Sequence, residues 1–155
     1  MNDKAPSLAP APGDGKRGTH GYLGYLLRQA ATAHRQRMEK ALSGLGLTAP
    51  QFTVMTMVEA YPGLSGADLA RLALVTPQTV SVILANLERA DLVRRTPHAV
   101  HGRILEVVLT EAGRALLVDA RARVHALEPD LQANLPPEAE DAVRRWLVAV
   151  AQLAP

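Results

Sequence analysis

The chain contains no cysteine, which excludes disulfides, thiol redox sensing and thiolate metal sites. Aromatic residues make up only 3%, with one Trp, one Phe and three Tyr, so the core has to come from Ala and Leu, both helix formers. No apolar run approaches the ~20 residues that a membrane span requires. Residues 1–18 lack the apolar segment of a secretory signal; rich in Ala, Pro, Gly and Asp, they read as a disordered tail, and a cytoplasmic location is expected. There is no Gly-rich phosphate loop and no Ser/His/Asp pattern.

What is present fits one folded domain. A chain of 155 residues with 48% hydrophobic and 21% charged residues can form a single core, and a short Ala/Leu-rich core often needs a partner subunit to bury enough surface. The net charge of +2 is too small to indicate nucleic acid, but its distribution is uneven. Arg71, Arg89, Arg94, Arg95 and Arg103 stand against Glu88 and Asp91, a local +3, whereas the chain from Glu111 onward is locally −2. The middle of the chain is therefore the part suited to phosphate.

The pattern of apolar residues predicts six helices and one hairpin. Leu23, Leu27, Ala30, His34, Met38, Ala41 and Leu45 recur every three or four residues, one face of a helix from about His20 to Ser43 that Gly44 and Gly46 stop. Thr48-Ala49-Pro50-Gln51 has the form of a capping box and starts a helix carrying Phe52, Met55, Val58 and Glu59. Ser65-Gly66-Ala67-Asp68 opens a short helix with Leu69, Leu72 and Ala73 expected inward. Thr76-Pro77 opens another, running to about Ala90, with Val80, Ile83, Leu84 and Leu87 as its buried stripe. The segments 92–96 and 103–109 are rich in branched residues and read as strands, with Pro97 to Gly102 as the hairpin loop. Thr110 caps a long helix that Pro129 ends or kinks, and a last helix begins near Pro136-Pro137 and carries Val143, Trp146, Leu147, Val150 and Leu153.

Short helix, tight turn, helix and two-stranded ribbon make a winged helix-turn-helix. A helix about 10–12 Å across fits the B-DNA major groove, while the ribbon reaches a neighbouring groove or the backbone. With Val80, Ile83, Leu84 and Leu87 inward, Gln78, Val82, Ala85, Asn86 and Arg89 lie opposite. Gln78 can pair bidentately with adenine and Val82 can pack on a thymine methyl. Thr76, Thr79 and Ser81 suit phosphate contacts near the helix start. Arg94 and Arg95 add the charge of the ribbon.

From Leu47 to Leu116 the chain resembles the MarR family of regulators. The resemblance is carried by Leu47-Thr48-Ala49-Pro50-Gln51-Phe52, Asp68-Leu69-Ala70, Val75-Thr76-Pro77-Gln78-Thr79-Val80-Ser81, Asn86-Leu87-Glu88, Leu92-Val93-Arg94-Arg95 and Val108-Leu109-Thr110-Glu111-Ala112-Gly113. It implies a mostly α winged helix-turn-helix fold with a two-stranded β wing and N- and C-terminal dimerisation helices. It also implies an obligate homodimer on a pseudo-palindromic double-stranded DNA operator, and repression relieved by a small aromatic acid or phenolic effector. Arg103 stands where the family carries a wing-tip arginine, suited to the negative potential of the minor groove. In two places the chain departs from the family. His101 replaces the usual Asp two residues before that arginine, and Val82 stands where many members have arginine. Both bear on operator preference. The implied division is a tail over 1–18, a dimerisation helix over 19–47, a DNA-binding region over 48–110 and dimerisation helices over 111–155.

Two other readings stay open from the residues themselves. His98 and His101, three apart in the loop, could belong to a metal-dependent enzyme, although no carboxylate or cysteine pattern accompanies them. A winged helix can also serve protein contacts alone. No catalytic residue, metal or cofactor is expected. For an effector, Tyr22, Tyr25, Arg28 and His34, facing Met55 and Val58, could line a pocket with Arg28 pairing to a carboxylate; alternatively His34 packs at the dimer core and the tyrosines fill the helix interface. Imidazole ionises near neutral pH, so His34, His98 and His101 could make DNA binding pH-sensitive.

Overall fold

The computed structural model of the protein describes residues 9–97, 105–133 and 135–153. In chain order it runs α1 (Leu23–Leu42), α2 (Ala49–Ala60), α3 (Gly66–Leu72), α4 (Pro77–Arg89), β1 (Val93–Pro97), β2 (Leu105–Leu109), α5 (Glu111–His125), α6 (Glu128–Gln132) and α7 (Pro137–Ala151). Short 3-10 turns cover Gly15–Arg17 and Ser43–Leu45. Pro97, expected in the hairpin loop, ends β1, while the rest of that expected loop with His98 and His101, and the expected start of the second strand with Arg103, lie outside the described residues.

Hydroxyl side chains open the helices as their positions predict. Thr48 Oγ1 accepts the Gln51 N–H at 3.3 Å while Gln51 Oε1 accepts the Thr48 N–H at 2.9 Å, a complete capping box. Ser65 Oγ accepts the Asp68 N–H at 3.1 Å, and its own hydroxyl donates to Asp68 Oδ2 at 2.6 Å. That hydrogen bond and the adjacent Arg71 guanidinium hold the Asp68 carboxyl below the usual carboxylate range. The support it gives α3 is therefore present at neutral pH and is lost as pH falls through the lowered pKa. Thr76, followed by Pro77 in the first turn, caps α4, and Thr110 caps α5.

One core joins these elements. Leu42 of α1, Met55 of α2, Leu69 of α3, Leu87 of α4 and Leu117 of α5 are all fully buried, each contributing about 1.5–3 kcal/mol of apolar burial. Val80, Ile83, Leu84 and Leu87 form the buried stripe of α4. Val93 and Leu109, opposite each other in the antiparallel ladder, bury the base of the wing. Thr110 fastens that base: its hydroxyl donates to the Asp91 carbonyl at 2.7 Å and accepts the Gly113 N–H at 2.9 Å. Its own N–H donates to the Leu92 carbonyl at 3.1 Å.

Several expectations need correction. Leu72 of α3 is 42% exposed and Ala70 takes the inward place, because α3 presents only one narrow side, through Leu69, Ala70 and the following Ala73, to the core. Pro129 opens the extra helix α6 rather than ending the long one, since a proline in the first turn of a helix sacrifices no hydrogen bond. From residue 9 the stretch expected to be a tail folds back on α1, with Arg17 Nε donating to Gln29 Oε1 at 2.9 Å. The turn between α3 and α4 has Leu74 at φ +56°, a left-handed position held without glycine. Of the α1 stripe, Leu23 is exposed and His34, Met38 and Ala41 are half-buried.

At Gly113 an added Cβ would meet the Leu92 carbonyl inside van der Waals contact, and that atom is backbone. Gly113→Ala is accordingly expected to lower stability by about 1–3 kcal/mol. Urea denaturation at fixed protein concentration checks this; a midpoint equal to wild type would show that the junction can yield. Leu117→Ala, emptying a fully buried site, should cost about 2–5 kcal/mol in the same measurement.

Candidate nucleic-acid interface

Between α3 and α4 the chain turns through 104°, within the range of helix-turn-helix units, and α4 stands out with one side free. Gln78, Val82, Ala85 and Arg89 follow one another along that side, with Asn86 beside them, and all five are exposed. Val82 keeps 60% of its surface accessible, an apolar side chain with nothing of its own chain over it. At the start of the helix, Thr76 Oγ1 accepts the Thr79 N–H at 3.1 Å and lies 2.9 Å from Thr79 Oγ1. Ser81 Oγ donates to the Pro77 carbonyl at 3.0 Å. These three hydroxyls hold the first turns of α4 in shape while remaining at the surface.

The expected contact residues divide into those that are free and those that are engaged. Arg94 and Arg95 are successive residues of β1 and so point to opposite faces of the ribbon, opposite Val108 and Val107 respectively. Arg95 turns toward α4, where its Nε lies 3.0 Å from Glu88 Oε1, both groups partly exposed. Together with Ser81, Leu84 and Val107 it lines a small groove between α4 and the wing. Arg94 is exposed on the other face. Asn86 is engaged as well, its Oδ1 accepting from Arg89 Nη1 at 2.9 Å. Arg89, not among the expected contact residues, shares the outward side of α4; its place on the helical wheel signals this, since it lies eleven residues, close to three turns, beyond Gln78.

The residues proposed for an effector are not brought together within one protomer. Tyr25 and Arg28 line an open concavity of about 560 Å³ on the outer side of α1. Tyr22 caps the start of that helix, 80% exposed, with Lys16 Nζ 5.3 Å from its ring centre. At 100° per residue His34 lies on the opposite side of α1, half-buried, with Nδ1 shielded from solvent and without a hydrogen-bond partner among the described residues. Met55 and Val58 are core residues. Among the described residues no three His, Cys, Asp or Glu side chains converge on a metal position. Among the described residues no single helix is long and apolar enough to cross a membrane.

A protruding helix at 104° to its predecessor, flanked by a two-stranded wing, defines a winged helix-turn-helix protein. Comparison with known proteins gives the family. Residues 45–104 match the model of the MarR family. The chain is 42% identical over 125 residues to the HTH-type transcriptional repressor Rv2887 of Mycobacterium tuberculosis, covering 81% of this chain and 90% of that protein. The structure of that Mycobacterium tuberculosis protein in complex with salicylic acid aligns with a TM-score of 0.69 at 40% identity, over 83% of this chain and 96% of that one. Its complex with DNA aligns with a TM-score of 0.65 at 38% identity, over 83% and 97%. The chain belongs to the MarR family.

The different states of the two wing arginines lead to a test. Arg94→Ala should weaken binding to DNA and reduce the slope of log affinity against log salt by about one per subunit. Arg95→Ala should change that slope less, because Glu88 already holds its charge. Affinity titrations at several salt concentrations decide; equal slopes for both variants would place the two arginines on the same footing.

Proposed function

We propose that the protein is a homodimeric repressor that grips a pseudo-palindromic operator through α4 and the wing and is released by a small aromatic or phenolic acid. The observation that carries this reading is the uncovered side of α4, where Gln78, Val82 and Asn86 stand at the spacing that reads base edges. Thr76, Thr79, Ser81 and Arg94 take the phosphates beside it, Arg95 supports the wing, and Arg103 at the wing tip enters the minor groove. The protein acts by binding rather than catalysis, in the cytoplasm.

The dimer follows from what a single chain leaves bare. No residue of α7 is buried, and Trp146, Leu147, Val148 and Leu153 keep 41–80% of their surface. Tyr22 and Leu23 are similarly bare at the start of α1. Apolar patches of this kind mark an interface, so residues 19–47 and 111–155 supply the subunit contact and 48–110 the DNA contact. Release by an aromatic acid draws support from the salicylic acid complex of the Mycobacterium tuberculosis relative. In this chain Arg28 and Tyr25 are the groups that would hold such a ligand.

Fluorescence anisotropy with duplex from upstream of the protein's own gene, against scrambled duplex at two salt concentrations, tests the reading. Tight, selective and salt-sensitive binding that salicylate reverses is expected. Equal weak binding to both duplexes would remove the operator proposal, and absence of binding at low salt would favour a winged helix used for protein contacts. Gln78→Ala should cost about 1–3 kcal/mol on the true operator and relax selectivity at one base pair of each half-site.

A further inference from the structure

The segment before α1 is built rather than merely attached. Gly13 donates its N–H to the Arg17 carbonyl at 3.1 Å, and Gln29 Nε2 donates to the same carbonyl at 3.1 Å. Arg17 Nε returns a hydrogen bond to Gln29 Oε1 at 2.9 Å, and Nη1 donates to the Pro10 carbonyl at 2.9 Å. Gly18 is packed so closely on the Gly13 carbonyl that no Cβ would fit. The guanidinium of Arg17 is thereby fixed in place before any ligand arrives.

What it faces is the concavity of about 560 Å³ on the outer side of α1, a volume typical of small-molecule sites. Pro12, Tyr25, Ala30 and Ala33 give the lining apolar and aromatic surface, and Arg17 and Arg28 are its cations. No Asp or Glu is among the lining residues. Among the described residues neither Arg17 nor Arg28 has a carboxylate partner, and they stand together on this one hollow. Two unneutralised guanidinia on one apolar hollow favour an anion with an apolar body.

We infer that the segment from Pro10 to Gly18 forms one wall of the effector site and that Arg17 supplies, with Arg28, the second cation for the carboxylate of an aromatic acid. This rests on the effector reading above and names a residue and a segment for it. Because Arg17 is already held by Gln29 and Pro10, little side-chain freedom is lost on binding.

Calorimetric titration of the full chain with salicylate, and with salicylamide as the uncharged control, tests the assignment. Arg17→Gln is expected to weaken salicylate at least about tenfold while leaving the weaker binding of salicylamide unchanged. Arg35→Gln, an exposed arginine of α1 outside the hollow, should leave both as in wild type. Equal weakening of acid and amide would make Arg17 a mere wall, and no weakening of either would remove it from the site; both outcomes overturn the inference alone. A change of the Arg17→Gln protein from dimer to monomer would assign the hollow to the subunit contact and overturn it likewise. A wild-type chain that binds no aromatic acid would sink the effector reading and this inference together.

Discussion

The hydrogen bonds around Thr110 connect every part of the molecule that has to act together. The Thr110 hydroxyl reaches the Asp91 carbonyl just beyond α4, its N–H reaches Leu92 at the foot of the wing, and its oxygen caps α5 through Gly113. The recognition helix, the wing and the long C-terminal helix therefore share one joint, packed so tightly that only glycine fits at 113. A helix set to read a groove and a ribbon set to reach the next one are useful only if their mutual angle is fixed. The same joint ties them to α5, so a shift among the helices outside the DNA-binding region has a direct route to the DNA face. That is the mechanical requirement for release by a small ligand bound elsewhere.

The second constraint is the imbalance of burial. Leu42, Met55, Leu69, Leu87 and Leu117 make one compact core from five helices, yet no residue of α7 is fully buried and Trp146, Leu147 and Val148 stay exposed. Trp146 and Leu147, left exposed on α7, are the surface that the proposed partner subunit would cover. The DNA-binding unit is then complete in each protomer, while the spacing of two such units is a property of the pair. Symmetry of the operator follows from symmetry of the dimer.

Much of this was legible in the residues because the signals were local. Thr48, Ser65, Thr76 and Thr110 each precede a helix by one position, and capping depends on a few neighbouring atoms. The inward stripe of α4 repeats at helical spacing, so its outward side could be read from it. What escaped depends on long-range contact. Arg95 reads as part of the ribbon's charge, and only the fold brings it to Glu88, seven residues away in sequence and on another element. Leu72 fits the apolar period of α3, but only the packing decides which neighbour turns inward. The stretch before α1 has a tail's composition, and its order comes from Arg17 and Gln29, twelve residues apart. Tyr25 and His34 share one helix and both face Met55 and Val58 in the effector reading, yet nine residues on a helix place them on opposite sides. The wing tip, with Arg103, stays as the family resemblance implies it.

In the proposed repressor, two copies of α4 enter successive major grooves on one face of the DNA. Hydroxyl-radical footprinting of the wild-type protein on its operator examines this directly. Two protected half-sites related by two-fold symmetry, with centres about 10–11 base pairs apart, are predicted. A single protected half-site, or protection without a two-fold relation, would contradict it.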